Sequence, residues 1–168
     1  MTFSFRTKLA AWMFGFAAAV HPVLAAEPYP YSTDPAIKAD QMAAYDVVHR
    51  YETLLNAGDT ADILKLFAPD SVAEWNDKPT AATDAQRADI YNSLFEIAKF
   101  TTVFGYAGII TYGDTAVVRT FHHKSASVVE NGKTIADLNR EVFVLHRIDG
   151  QYRIVLYIFN TNPVQGEG

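Results

Sequence analysis

The sequence predicts an α+β domain in which helices come first and an antiparallel sheet follows. Three observations carry that expectation. Apolar residues recur at helical spacing through the first half, between recognisable cap signals. From Thr101 onward the pattern becomes long runs rich in β-branched and aromatic residues. Short turns containing glycine separate those runs, and helices followed by hairpin-linked strands is an α+β order.

The first 26 residues are set aside from the fold. Arg6 and Lys8 make a basic start, Leu9–Val20 is an apolar run, and His21-Pro22 breaks it before the small residues of Val23–Ala25. That layout is a secretory signal peptide, too short in its apolar part to span a membrane. Residues 27–34 read as an extended lead-in, 35–163 as the domain and 164–168 as a loose tail. Removing Arg6 and Lys8 from 14 basic residues leaves 12 against 19 acidic ones, a formal charge of −7. With no basic run, neither nucleic acid nor an anionic membrane surface is an expected partner. Cysteine is absent, so disulfides and thiol chemistry are excluded even in an exported, periplasmic or secreted chain.

Asp34 followed by Pro35 is a helix start, an N-cap side chain before proline at the first helical position. Ile37, Tyr45, Val48, Tyr51, Leu54 and Leu55 continue at helical spacing until Asn56–Asp59 stops them. Asp59 or Thr60 caps a short second helix over Ala61–Phe67, ended by Pro69, and Ser71–Trp75 reads as a brief strand. Thr83 and Gln86 form a capping box for a third helix, Asp84–Lys99. Four strand runs follow: Thr101–Tyr112, Thr115–Val129, Thr134–Ile148 and Gln151–Asn160. Their turns are Gly113-Asp114, Asn131-Gly132 and Asp149-Gly150, of which Asn-Gly is the strongest hairpin signal.

The stretches Tyr51–Val72, Gly113–Thr120 and Asn139–Pro163 resemble the nuclear-transport-factor-2-like (NTF2-like), or SnoaL-like, superfamily. The Asn-Arg-Glu before an apolar strand and the Phe-Asn near the last strand's end are most similar to its SgcJ/EcaC-type branch. The resemblance implies a cone, a curved sheet around an apolar cavity closed by helices. It also implies a range of activities: ketosteroid isomerases, polyketide cyclases, dehydratases and binding or assembly modules share this fold. Aligned to the isomerases, Trp75 stands where their general-base carboxylate would be. Glu74 or Asp77 reaches that position only after a slip of one or two residues. Trp75 therefore reads as an apolar wall or lid at the cavity rim.

Hairpin turns fix register. Counting from Asn131-Gly132 sets His122 opposite Glu141, His123 opposite Arg140 and Lys124 opposite Asn139. Counting from Asp149-Gly150 sets Asn139 opposite Asn160, Arg140 opposite Phe159 and Glu141 opposite Ile158. Counting from Gly113-Asp114 sets Tyr106 opposite Phe121 and Gly108 opposite Arg119. A single β-bulge shifts part of such a ladder by one.

Alternation then divides the strands into two faces. One is aliphatic, with Val118, Phe143, Leu145, Ile154 and Ile158, and gathers Thr120, His122, Asn139, Glu141 and Asn160 towards one end. The other mixes Arg119, Phe121, Arg140, Tyr157 and Phe159, a composition enriched at protein interfaces. The first face is assigned to the cavity and the second to a homodimer seam. The reverse assignment would turn Arg119 and Arg140 into an anion clamp.

Glu141 and His122 are the candidate catalytic pair, since a carboxylate beside an imidazole tunes both pKa values towards neutrality. The alternative is a solvated cross-strand pair. Asn139 and Asn160 would hold a ligand carbonyl or hydroxyl, with Trp75, Thr120, Phe143 and Ile158 as further cavity residues. Tyr45 either reaches the cavity or packs as a core aromatic. His122 and His123 point to opposite faces and cannot share an ion, and no HExxH spacing replaces them, so no metal is expected. No glycine-rich phosphate loop or nucleotide fingerprint is present, so no cofactor is expected. Three functions remain: a binder of a small apolar or amphiphilic molecule, a cofactor-free isomerase, cyclase or dehydratase, and a structural dimer module.

Overall fold

The computed structural model describes residues 29–161. The expected signal peptide (1–26) and loose tail (164–168) lie outside the described residues. Helix α1 spans Pro35–Ala57, with Asp34 as N-cap: its Oδ1 accepts from the amides of Ala36 at 2.8 Å and Ile37 at 3.1 Å. Gly58 ends it in the left-handed region at φ 68°, where a glycine C-cap carries no Cβ penalty. The buried stripe is Gln41, Ala44, Val48, Tyr51 and Leu55. Its start is rotated from expectation, because Ile37 is exposed and the buried Gln41 amide donates to the Ile109 carbonyl at 2.9 Å.

Helix α2 covers only Thr60–Leu64, and strand β1 already begins at Phe67 and runs to Glu74. Pro69 therefore sits inside a strand rather than after a helix. It occupies an irregular stretch between the pairs Phe67↔Ile154 and Val72↔Leu156, where its missing N–H breaks no ladder bond. Helix α3, Asp84–Ile97, has the full capping box of Thr83 and Gln86. It buries Arg87 and Tyr91 and hands directly over to strand β2, Ala98–Thr101. The remaining strands are β3 (Phe104–Tyr112), β4 (Thr115–His122), β5 (Ser127–Glu130), β6 (Lys133–Ala136), β7 (Arg140–Ile148) and β8 (Gln151–Asn160).

Two of the expected long strands are each broken. The run Thr115–Val129 divides into β4 and β5, and Thr134–Ile148 into β6 and β7. A five-stranded sheet in the order β1-β8-β7-β4-β3 forms the body, and β2-β5-β6 forms a separate small sheet. All pairs within the two sheets are antiparallel except β1 with β8, which is parallel. The Asn131-Gly132 and Asp149-Gly150 hairpins both have positive φ at the two turn residues, 49° and 76°, then 51° and 79°. That is the type I′ geometry whose twist matches paired strands.

The helices pack on one face of the large sheet. Tyr51 lies at the centre of the core, its ring 5.1 Å from Phe143, 5.4 Å from Tyr157 and 6.5 Å from Phe104. Each such ring contributes about 1.5–3 kcal/mol through burial. Arg87 is fully buried in the core. It donates to the Ser71 carbonyl at 2.7 Å and to Asp84 at 2.6 Å, and lies over the Phe67 ring. Among the described residues no helix is long and apolar enough to cross a membrane.

Candidate functional site

Two one-residue bulges decide what faces the inside. In β3 the ladder from the Gly113 turn holds as far as Gly108↔Arg119, then Ala107 is left over and Tyr106 pairs with Thr120. In β8 the ladder from the Gly150 turn holds as far as Leu145↔Ile154, then Val155 is left over and Val144 pairs with Leu156. Beyond each bulge the side chains change faces. Phe104 and Tyr106 turn inward, as do Tyr157 and Phe159, whereas Ile158 and Asn160 turn outward. The assignment of Tyr157 and Phe159 to a dimer seam and of Ile158 and Asn160 to the cavity is corrected accordingly. Asn160 lies opposite Arg140, not Asn139, and accepts from the Arg140 Nε at 3.0 Å on the outer face.

The break between β4 and β5 changes the third ladder by two. Glu130↔Lys133 is as expected, but Thr120, not His122, lies opposite Glu141. A shift of two preserves the face, so His122 and Glu141 still meet, as diagonal neighbours. Phe143, Leu145, Val118 and Thr120 also stay inside, while Arg119, Phe121 and Arg140 stay outside.

Two of those outer residues have a local task. A Cβ built on Gly105 would come within 2.2 Å of the Phe121 ring, and one on Gly108 within 3.3 Å of the Arg119 guanidinium. Phe121 and Arg119 thus lie across the cross-strand glycines, and aromatic cover of a strand glycine is a known stabilising arrangement.

The inner face opens on a cavity of about 520 Å³ between α3, the small sheet and the end of the large one. Trp75, Tyr91, Tyr157, Phe159, Leu94 and Phe100 supply most of its wall, and His122, Asp137, Asn139 and Glu141 form its polar side. The Trp75 ring stands 5.5 Å from Tyr157 and 5.7 Å from Tyr91. Tyr51 and Tyr91 join their hydroxyls at 2.9 Å. Thr120 is buried with an unpartnered hydroxyl, and Phe143 packs beneath the wall against Tyr51 and Tyr157. Tyr45 does not reach the cavity. It packs on the other flank of α1, 4.6 Å from Tyr106.

His122 is buried between two carboxylates. Its Nε2 is 2.9 Å from Glu141 Oε1, and its Nδ1 is 2.9 Å from the Asp137 carbonyl and 3.2 Å from the Asp137 carboxylate. With Glu141 ionised, acceptors on both sides of the ring place a proton on both nitrogens. Burial alone would lower the His122 pKa, but hydrogen bonds to Asp137 and Glu141, and their charges, overcome it and raise the value to about 10. For Glu141 burial dominates in the other direction and raises the carboxyl pKa above its usual range, with His122 opposing. One Glu141 oxygen is bonded to His122, and the other, Oε2, is buried with no hydrogen-bond partner. Asn139 donates to the Asp137 carboxylate and holds it in place.

The unpartnered oxygen is what gives this arrangement chemistry. An imidazolium fixed on one side leaves the carboxyl free to accept from, or exchange a proton with, whatever fills the cavity. The sequence reading missed Asp137, Tyr51 and Tyr91 as site residues. Asp137 had a visible signal, since Asp-Leu-Asn cannot continue the strand and so marks the bend. Tyr51 and Tyr91 had none beyond their place on buried helical stripes. Among the described residues no group of three or more His, Asp or Glu side chains is disposed to hold a metal ion.

No protein-family model matches the sequence, and no curated protein does. Solved structures do. A ketosteroid isomerase-like protein from Erwinia carotovora atroseptica superimposes with a TM-score of 0.68 at 20% identity, covering 73% of this chain and 95% of its own. A protein of unknown function from Mycobacterium tuberculosis gives a TM-score of 0.65 at 14% identity, with 74% and 72% covered. An NTF2-like protein with a cystatin-like fold from Novosphingobium aromaticivorans gives 0.62 at 18% identity, with 76% and 85% covered. The fold is the NTF2-like cone.

Proposed function

We propose that this chain is an exported protein that binds one small, largely apolar molecule in its cone. Supporting this is the combination of a cavity of about 520 Å³, walled by aromatic side chains, with a buried carboxylate whose second oxygen has no partner. Pockets of a few hundred Å³ with an apolar lining and a few convergent polar groups are the usual form of a small-molecule site. Leaving Glu141 Oε2 unpaired costs about 1–3 kcal/mol, which a ligand group placed there offsets.

Nile red, a neutral lipophilic dye that brightens in apolar surroundings, tests this reading. The full chain is expected to bind it saturably at one site. Leu94→Trp, which adds an indole to the cavity wall, should weaken binding while the circular dichroism spectrum is kept, and so should Trp75→Ala. Equal binding in all three proteins would remove the cavity as the site.

A second reading is favoured by the elevated Glu141 pKa: a cofactor-free isomerase, cyclase or dehydratase in which Glu141 moves a proton and His122 sets its basicity. Turnover would then depend on pH with the Glu141 ionisation, and Glu141→Gln would abolish it while leaving Nile red binding intact.

A further inference from the structure

The charged groups around the cavity are unbalanced. Glu141 and Asp137 flank His122 inside, and Asp77, Asp89 and Glu130 line the rim with Lys78. Five carboxylates therefore face two cationic groups. The Lys78 ammonium lies 3.8 Å from Asp77, and the His122 ring is already bonded on both nitrogens. The buried cation is therefore not left to receive an anionic ligand, and Lys78 stands half-exposed at the rim among Asp77, Asp89 and Glu130.

The remaining wall is aromatic: Tyr51, Trp75, Tyr91, Phe100, Tyr157 and Phe159. Ring faces attract cations and repel anions, and several rings around one carboxylate form a cage suited to a positive head. At its polar end, Glu141 is about 2% exposed, and its Oε2 makes no full hydrogen bond, with the Tyr157 hydroxyl as the neighbouring donor. An ammonium would supply both the proton donor and the charge.

Resting on the binding function proposed above, we infer that the cone selects an amphiphile with a cationic amine head, seated on Glu141 and caged by the aromatic wall. A carboxylate head of the same length would meet acids at the rim and a free carboxylate oxygen at the base. A neutral ketone would satisfy neither Oε2 nor the charge.

Displacement of Nile red from the full chain by decylammonium, 2-undecanone and decanoate at neutral pH tests the inference. Decylammonium is expected to compete at least about tenfold more strongly than decanoate, the ratio that ~1.4 kcal/mol produces. Glu141→Gln should erase most of that preference, the affinities of decylammonium and decanoate for the variant being measured directly by calorimetry. Leu94→Trp keeps every charge of the rim and narrows the cavity, so decylammonium binding measured by calorimetry should be weakened in it. Decanoate competing as well as decylammonium overturns the inference. So does amine binding unchanged by Leu94→Trp and by Trp75→Ala, which would place it on the acidic surface. A ketone that outcompetes the amine also overturns it, and points to Glu141 as a protonated donor, leaving the binding function standing. Failure of Nile red itself to bind removes the binding function and this inference together.

Discussion

Replacing His122 by phenylalanine isolates the energetics of the site. The imidazole is buried, 2.9 Å from Glu141 and 3.2 Å from the Asp137 carboxylate, and its ring already lies 5.4 Å from Phe104. A phenyl ring keeps the volume and removes the charge, so two carboxylates lose their only buried cation. Breaking a buried ion pair by deleting one partner costs about 3–5 kcal/mol. The pKa gives a similar figure, since a rise from 6.5 to about 10 corresponds to ~5 kcal/mol of preference for the charged form. With a urea slope of about 2 kcal/mol per molar, the midpoint should fall by roughly 2 M.

The pH dependence fixes the cause. His122 has its pKa raised on folding, so its stabilisation is complete below pH 6.5 and is lost as pH rises through about 10. Stability of the native chain should therefore decline across that window more steeply than that of His122→Phe, and the two curves should converge at the alkaline end. Urea unfolding followed by circular dichroism at several values between pH 6.5 and 10 measures this. A loss below about 1 kcal/mol at pH 7, with parallel slopes, would refute a buried imidazolium between two carboxylates.

Three further outcomes follow from other parts of the fold. Gly105→Ala should destabilise by about 1–3 kcal/mol because its methyl group meets the Phe121 ring, and adding Phe121→Ala should recover part of that loss in thermal unfolding. Arg87→Ala should cost about 3–5 kcal/mol in urea unfolding, since it leaves the buried Ser71 carbonyl without its Arg87 donor and a space over Phe67. We propose that the outer sheet face, with Arg119, Phe121 and Arg140, joins two copies, so Arg140→Glu is expected to lower the mass seen by light scattering. The mass of one chain in the unsubstituted protein, or a mass unchanged by the substitution, would refute this.

Much of the architecture was legible in the sequence because caps and turns are local. Asp34 with Pro35, Thr83 with Gln86, and Asn131 with Gly132 each act within four residues, and each forms where expected. The inner placement of Glu141, His122, Thr120 and Phe143 was legible too, since it needs only alternation on two central strands. Legibility ended where the cause is not local. Nothing in the side chains of Ala107 or Val155 marks a bulge; the bulges arise because a curved sheet must absorb unequal strand lengths. The early start of β1 was hidden in the same way, because Pro69 reads as a helix stop while its tolerance in a strand depends on a partner 85 or more residues away. The Tyr51–Tyr91 contact joins two helices through tertiary packing, which helical periodicity alone cannot pair.

The leftover residues Ala107 and Val155 behave like shifts of reading frame written into the sheet. Were the ladder to run on from Leu145↔Ile154 with Val155 kept and paired to Val144, Ile158 and Asn160 would replace Tyr157 and Phe159 along the cavity wall. Deleting Val155 would instead leave a regular ladder with the same partners, Leu156 on Val144 and Tyr157 on Phe143, and the same lining. The aromatic wall therefore depends on the bulge only because Val155 is present to be absorbed. In the interior strand β8, one residue added beside Val155 without a second bulge would re-select the lining from several residues away, with every lining position unsubstituted.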